Sequence, residues 1–368
     1  MTATDTRFAQ HYSTQRASTQ QREAVLANPG FGNYFTDHTA IVDFSIDQSG
    51  DGGWHSARLE PYGPIALDPA AAVLHYGQEI FEGMKAYRHA DGSVWTFRAD
   101  ANAARLNRSA IRLALPQLPE ELFLESLRQL VTADQDWIPS GDGESLYLRP
   151  FMIATEAFLG VRPAREVSYR VIASPAGNYF GGEVTPVNIW VSRTYARAGR
   201  GGTGAAKAGG NYASSLAAQL EAEAHGCRQV LFLDQFNDNA VEELGGMNVF
   251  FVFRDGSLVT PALSGTILEG ITRSSIIQLG KDRGLDVAER KITLDEWRHG
   301  VASGYITEVF ACGTAAVITP IGQLRDGDEF IGAPDAEAGD VTMSIRSQLL
   351  GIQTGAVEDT HGWLTRLV

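Results

Sequence analysis

Lysine is the scarce residue of this chain. Only four occur among 368 residues, Lys85, Lys207, Lys281 and Lys291, and arginine supplies every other permanent side-chain cation. Any chemistry that needs a primary amine therefore has few candidates. Cysteine is scarcer still. Cys227 and Cys312 stand far apart in sequence, which gives neither a disulfide framework nor zinc-ligand spacing. No metal site is expected, and a reducing compartment, the cytoplasm, is the expected setting. No apolar run approaches the ~20 residues that span a bilayer. Residues 1–30 lack the continuous apolar core of a signal peptide. Their Ser and Thr, with Arg7, Arg16 and Arg22, have some transit-peptide character, which Asp5 and Glu23 oppose. Positive charge is also in deficit: the net charge is −14 and the pI near 5.0, which argues against nucleic acid or an anionic membrane as partner.

The composition that remains, 44% hydrophobic and 20% charged, is that of a globular protein. The length exceeds one ordinary domain and predicts two. β-Branched and aromatic runs predict strands over 39–46, 93–97, 145–155, 167–174, 187–193, 228–234, 248–254, 257–260 and 304–312. Helical patterning predicts helices over 68–75, 100–115 with Asp100 as N-cap, 120–138, 211–226 and from about 271. Residues 175–186 mix Pro, Gly and polar side chains as linkers do. The expected division is an N-terminal domain over 1–180, a linker over 181–190 and a C-terminal domain over 191–368. Irregular alternation with hairpin signals predicts an α+β fold, not a doubly wound parallel sheet.

Four features carry chemistry. Lys207 lies in GRGGTGAAKAGGNY, where no side chain from 201 to 210 other than its own exceeds a threonine. Small neighbours admit a bulky planar group close to backbone and amine, as a Schiff-base lysine requires; a flexible Gly-rich loop with an incidental lysine is the plainer alternative. A Walker loop is excluded, because Lys207 stands between Ala206 and Ala208. Glu243, in AVEELGGMNVFF, and its neighbour Glu242 are carboxylates between apolar runs, and the sequence does not separate them. Gly270-Ile271-Thr272 opens a helix and Gly313-Thr314 follows a strand, both backbone settings suited to a phosphate. Arg105 can add a charge-assisted bond. Lastly, Arg149 sits in an apolar run beside Tyr147 and calls for an anion, from protein or substrate.

Taken in order, these tracts resemble the fold-type IV pyridoxal-phosphate (PLP) enzymes, and within them the branched-chain aminotransferases. Residues 243–250, 258–260 and 267–273 are similar to the class IV aminotransferase signature in residues and spacing. GGTGAAKAGGNYASS is similar to the cofactor-lysine segment, and HYGQEIFEGMKAYR, residues 75–88, to a further family tract. The resemblance implies a two-domain fold-type IV architecture and a homodimer. It implies that Lys207 forms the Schiff base with PLP and shuttles the proton, Tyr212 bonds the ring oxygen and Glu243 pairs with the pyridine nitrogen. Arg105, Ile271, Thr272 and Thr314 would hold the phosphate. Phe31, Tyr76, Phe81, Tyr147 and Tyr179 would wall the substrate pocket, with Arg149 at its edge. Gly246 and Ala315 would offer backbone N–H groups to the substrate carboxylate. Leu159 and Val161 would reach the neighbouring subunit's site. Two departures stand out: Gly246 replaces a threonine of some relatives, and the Cys-x-x-Cys of some mammalian relatives is absent at Cys312. Other fold-type IV activities (D-amino-acid or R-amine transamination, aminodeoxychorismate lyase) and a non-catalytic phosphate-binding relative are the alternatives.

Overall fold

The computed structural model describes residues 7–141, 143–177, 184–234, 236–332 and 336–368. By packing, the chain divides into two units. The first comprises Met1–Gly181, Ala206–Gly209 and Gly351–Val368; the second comprises Gly182–Ala205 and Gly210–Leu350.

The first unit is built on a sheet with the strand order Ala9–Gln10, Gly52–Pro61, His38–Ile46, Glu166–Ala176, Ser145–Ala154, Met84–Arg88, Val94–Phe97, Leu364–Arg366. Glu79–Phe81 pairs separately with Ser145–Ala154. All pairs are antiparallel except the short Ala9–Gln10 edge. Strands that bury one face alternate in burial, because successive side chains point to opposite faces. Leu146, Leu148 and Met152 are fully buried and share a core with Leu106 of helix Ala99–Arg112 and with Phe123 and Leu127 of helix Glu120–Ala133. The second unit carries another sheet, in the order Ala240–Leu244, Gln229–Asp234, Val187–Val191, Val317–Asp326, Ile306–Gly313, Asn248–Phe253, Leu258–Pro261, Val287–Arg290. Parallel pairs at Val187–Val191 and Val287–Arg290 mix with antiparallel ones, so the fold is α+β.

Several sequence expectations need correction. The helix expected over 68–75 is only Ala72–Tyr76, following a turn. Asp100 is not an N-cap: Arg98, at φ 53°, holds that position and Asp100 falls in the first turn. The 120–138 helix ends at Ala133 and continues as a 3-10 turn, Gln135–Trp137. The 211–226 helix is two helices, Gly209–Ala213 and Leu216–Ala224, parted at Ser214-Ser215. The end of the expected 181–190 linker is strand, Val187–Val191, held between two parallel neighbours. Two segments expected in the C-terminal domain also pack with the first unit. Ala206 and Ala208 enter its core, and the strand Leu364–Arg366 pairs with Val94–Phe97. Both depend on partners far away in sequence.

Phe123, fully buried beside the Tyr169 ring, tests the first core. Phe123→Ala should cost about 3–5 kcal/mol, read as a fall in the urea midpoint with an unchanged slope.

Candidate active site

In the strand Ser145–Ala154 the residues opposite in phase to the core set are Tyr147, Arg149 and Phe151. Register places Lys85 against Tyr147 and Phe81 against Phe151, so one sheet face gathers these side chains. The Phe31 ring meets Tyr147 edge-on at 5.0 Å. The Arg149 guanidinium carbon lies 4.7 Å from the Phe81 ring centre and 5.3 Å from that of Tyr147. One Arg149 amine donates to the Tyr147 hydroxyl at 2.9 Å, while its buried Nε has no partner among the described residues. Glycine at 83 is required here, since a Cβ would overlap the Tyr147 hydroxyl.

Lys207 belongs to the same face. Its N–H donates to Ser109 Oγ at 2.9 Å, and its carbonyl accepts the Phe81 N–H at 3.0 Å. Ala206 and Ala208 are buried on either side, which only small side chains allow. The backbone is thus fixed and the half-buried Lys207 amine lies 4.9 Å from the Phe81 ring centre. Glu79 accepts the Gly209 N–H; burial pushes its carboxyl above the usual range, with that bond and the Arg149 charge opposing.

Arg105 is 3% exposed and grips Glu82, itself 0% exposed, through two bonds of 2.8 and 2.7 Å. Asn102 donates to the same carboxylate at 2.7 Å. The arginine assigned above to a phosphate therefore stands on a buried carboxylate that the sequence reading passed over. Tyr76 donates to the Leu159 carbonyl. Leu159 and Val161 are 69% and 89% exposed, apolar side chains at the surface of a loop tied down by the Arg162–Glu156 ion pair. Tyr179 lies outside the described residues.

In the second unit, Glu243 pairs with Arg197 and accepts the Leu268 N–H at 2.9 Å. Arg197 is held in turn by the Gly204 and Thr266 carbonyls at 2.9 and 2.6 Å. Glu242, which the sequence did not separate from Glu243, is also buried. It points the other way in the strand Ala240–Leu244, accepts the Thr266 hydroxyl and lines a cavity of about 230 Å³ with Arg200, Asp234 and Phe236. Burial pushes its carboxyl up. The helix Ile271–Asp282 starts from Gly270 without a side-chain cap, and Ile271 and Thr272 are both buried in its first turn. Thr314 and Ala315 are half-buried in the turn after strand Ile306–Gly313. A Cβ on Gly246 would sit 3.8 Å from the Tyr212 ring, and one on Gly313 would sit 3.5 Å from the Gly246 carbonyl, so these three residues are neighbours. Sequence reasoning missed Arg197, Glu79, Glu82 and Ser109. Arg197 alone left a trace, as an arginine ten residues before the singular lysine.

Glu82→Ala should destabilise the protein by about 3–5 kcal/mol, because it strips a buried guanidinium of its bidentate partner. Chemical denaturation with and without the substitution measures this directly.

Comparison with known proteins fits these arrangements. The family model for amino-transferase class IV matches residues 79–324. The chain is 57% identical over 364 residues to the branched-chain-amino-acid aminotransferase of Mycolicibacterium smegmatis, covering 98% of each. Among solved structures, it is similar to the Escherichia coli branched-chain amino acid aminotransferase, with a TM-score of 0.72 and 30% identity over 84% of this chain and 97% of that one. It is also similar to the T.th. branched-chain amino acid aminotransferase complexed with N-(5'-phosphopyridoxyl)-L-glutamate, with a TM-score of 0.71 and 29% identity over 89% and 99%. The chain belongs to the class IV aminotransferases of fold type IV and, within them, to the branched-chain-amino-acid aminotransferases.

Proposed function

We propose that the enzyme moves the amino group between L-leucine, L-isoleucine or L-valine and 2-oxoglutarate, giving branched 2-oxo acids and L-glutamate by a ping-pong course. The observation that carries this reading is Arg149: a guanidinium laid on the aromatic wall of Phe81 and Tyr147, with one neutral partner and a buried Nε unbonded. A half-buried cation of that kind suits an anion that arrives with substrate. The aromatic rings around it suit an isobutyl group equally well. One pocket can then take both substrate classes. The glutamate-derived ligand of the T.th. relative supports the acidic half of the pair.

The residues present fit pyridoxal 5'-phosphate. A single lysine projects from a backbone fixed by Ser109 and Phe81, and the buried Glu243 carboxylate is oriented by Arg197 and the Leu268 N–H. The helix starting at Ile271 has no side-chain cap, which suits a phosphate. When bound, the cofactor supplies the electron sink for the charge left as the substrate Cα proton departs. Lys207 holds the cofactor at rest. Its amine would take up the substrate Cα proton and hand it on, acting as the proton shuttle. Glu243 would hold a proton at the ring nitrogen, and Tyr212 would donate to the ring oxygen. Ile271, Thr272 and Thr314 hold the phosphate with Arg105, whose guanidinium Glu82 orients. Gly246 and Ala315 receive the substrate α-carboxylate. Phe31 and Tyr76 would complete the apolar wall. Leu159 and Val161, exposed on an anchored loop, would serve the neighbouring site in a homodimer. We place the enzyme in the cytoplasm; among the described residues no helix is long and apolar enough to cross a membrane.

The purified enzyme should be yellow, lose its visible band on L-leucine and recover it on 2-oxoglutarate; a band that responds to D-leucine alone would favour the D-amino-acid reading. Lys207→Ala should abolish turnover, and substantial residual transamination in a coupled assay would overturn the assignment. Arg149→Ala should lower kcat/KM for glutamate on the order of 100-fold, and for leucine by far less, because it removes a charge-assisted contact that only the acid makes. Equal losses for both substrates would remove Arg149 from this role.

A further inference from the structure

Glu79 is a half-buried carboxylate to which the proposed chemistry gives no task. It shares a strand face with Phe81, two residues on. Its carboxylate accepts the Gly209 N–H, and a Cβ at 209 would overlap it, so Glu79 lies against the segment that carries Lys207. The Phe81 ring is the common platform for the Lys207 amine and the Arg149 guanidinium, at 4.9 and 4.7 Å. Arg149 is within electrostatic reach of Glu79. Even so, it donates to the Tyr147 hydroxyl, and among the described residues no close ion pair joins it to Glu79.

This separation has a chemical consequence. An apolar substrate side chain brings no anion, and a half-buried guanidinium left uncompensated is costly. A carboxylate in full contact would solve that problem but would occupy the donors that a dicarboxylate substrate needs. A carboxylate held short of contact does neither: it offsets the charge through space and leaves the donors open.

We propose that Glu79 is a specificity-determining residue, anchored by Gly209 so that it balances Arg149 at a distance while an apolar side chain is bound and leaves Arg149 available to the side-chain carboxylate of glutamate or 2-oxoglutarate. The inference rests on the two-substrate reading above. It assigns the tolerance for leucine to a charge outside the apolar wall.

Glu79→Gln removes the charge and keeps an oxygen to accept the Gly209 N–H. In the purified holoenzyme, the ratio of kcat/KM for L-glutamate to that for L-leucine should rise on the order of ten-fold, chiefly through KM. Glu79→Asp, which retains the charge, should stay near the wild-type ratio. The visible cofactor band and the melting temperature verify that Lys207 and the fold are intact. If the glutamine variant does not fold, Glu79→Ser removes the charge with less bulk and should move the ratio in the same direction. A proportional loss for both substrates would mean that Glu79 only holds the Lys207 segment, and would overturn the proposal, as would an unchanged ratio. A wild-type enzyme that does not use glutamate overturns the two-substrate reading itself, and this is seen before any variant is made.

Discussion

Two hydrogen bonds to the Lys207 main chain organise the first unit: Phe81 N–H to the Lys207 carbonyl, and Lys207 N–H to Ser109 Oγ. They splice four residues, Ala206–Gly209, into a unit whose largest segment runs from Met1 to Gly181. The splice is possible only because Ala206 and Ala208 bury next to nothing in volume, and because Gly209 leaves room for the Glu79 carboxylate. A reactive amine on a long flexible stem needs such a base, since each freely rotating bond left in the backbone would spread its position. The poverty of the segment in side chains is therefore its function.

The strand Ser145–Ala154 does the complementary work. Period-two alternation sends Leu146, Leu148 and Met152 into the core and sends Tyr147, Arg149 and Phe151 to the opposite face. A second face thus forms without weakening the core, because the residues of the proposed substrate wall and the residues that pack occupy alternate positions. Buried charge in both units follows one rule. Buried Arg105 has Glu82 and buried Arg197 has Glu243, each at close contact, whereas half-buried Arg149 has, among the described residues, a tyrosine hydroxyl and a more distant carboxylate. The exception is the arginine proposed to meet an incoming anion.

Much of the site was legible because its parts are local. The lysine among glycines, the helix opening at Gly270 and the strand pairing after Glu243 are each set by a few adjacent residues. The strands over 39–46, 145–155 and 248–254 were legible for the same reason, since β-branched and aromatic runs declare themselves without a partner. What escaped was relational. Glu242 and Glu243 look alike in sequence, and both are buried; only the partners on either side of the strand, Thr266 and Arg197, tell them apart. Glu82 reads as one more glutamate until Arg105 and Asn102 are seen to converge on it. Helix ends were misjudged where a cap came from backbone shape, as with Arg98 in a left-handed conformation, and not from the Asp100 side chain.

The sequence by itself determined the chemical kind of this enzyme: one lysine in a setting of small residues, a fixed spacing to Glu243 and to the helix at Ile271, and an arginine in an apolar strand. Those are consequences of residue type and chain spacing, which local sterics enforce wherever the chain goes. Only the tertiary structure decided which charges are neutralised and which are kept open. Glu82 and Arg197 neutralise their partners, Glu79 stands off from Arg149, and residues 206–209 and 351–368 cross back to pack with the first unit. These depend on distances between residues remote in sequence, and the free energy of a charge is fixed by such distances and by the water excluded around it.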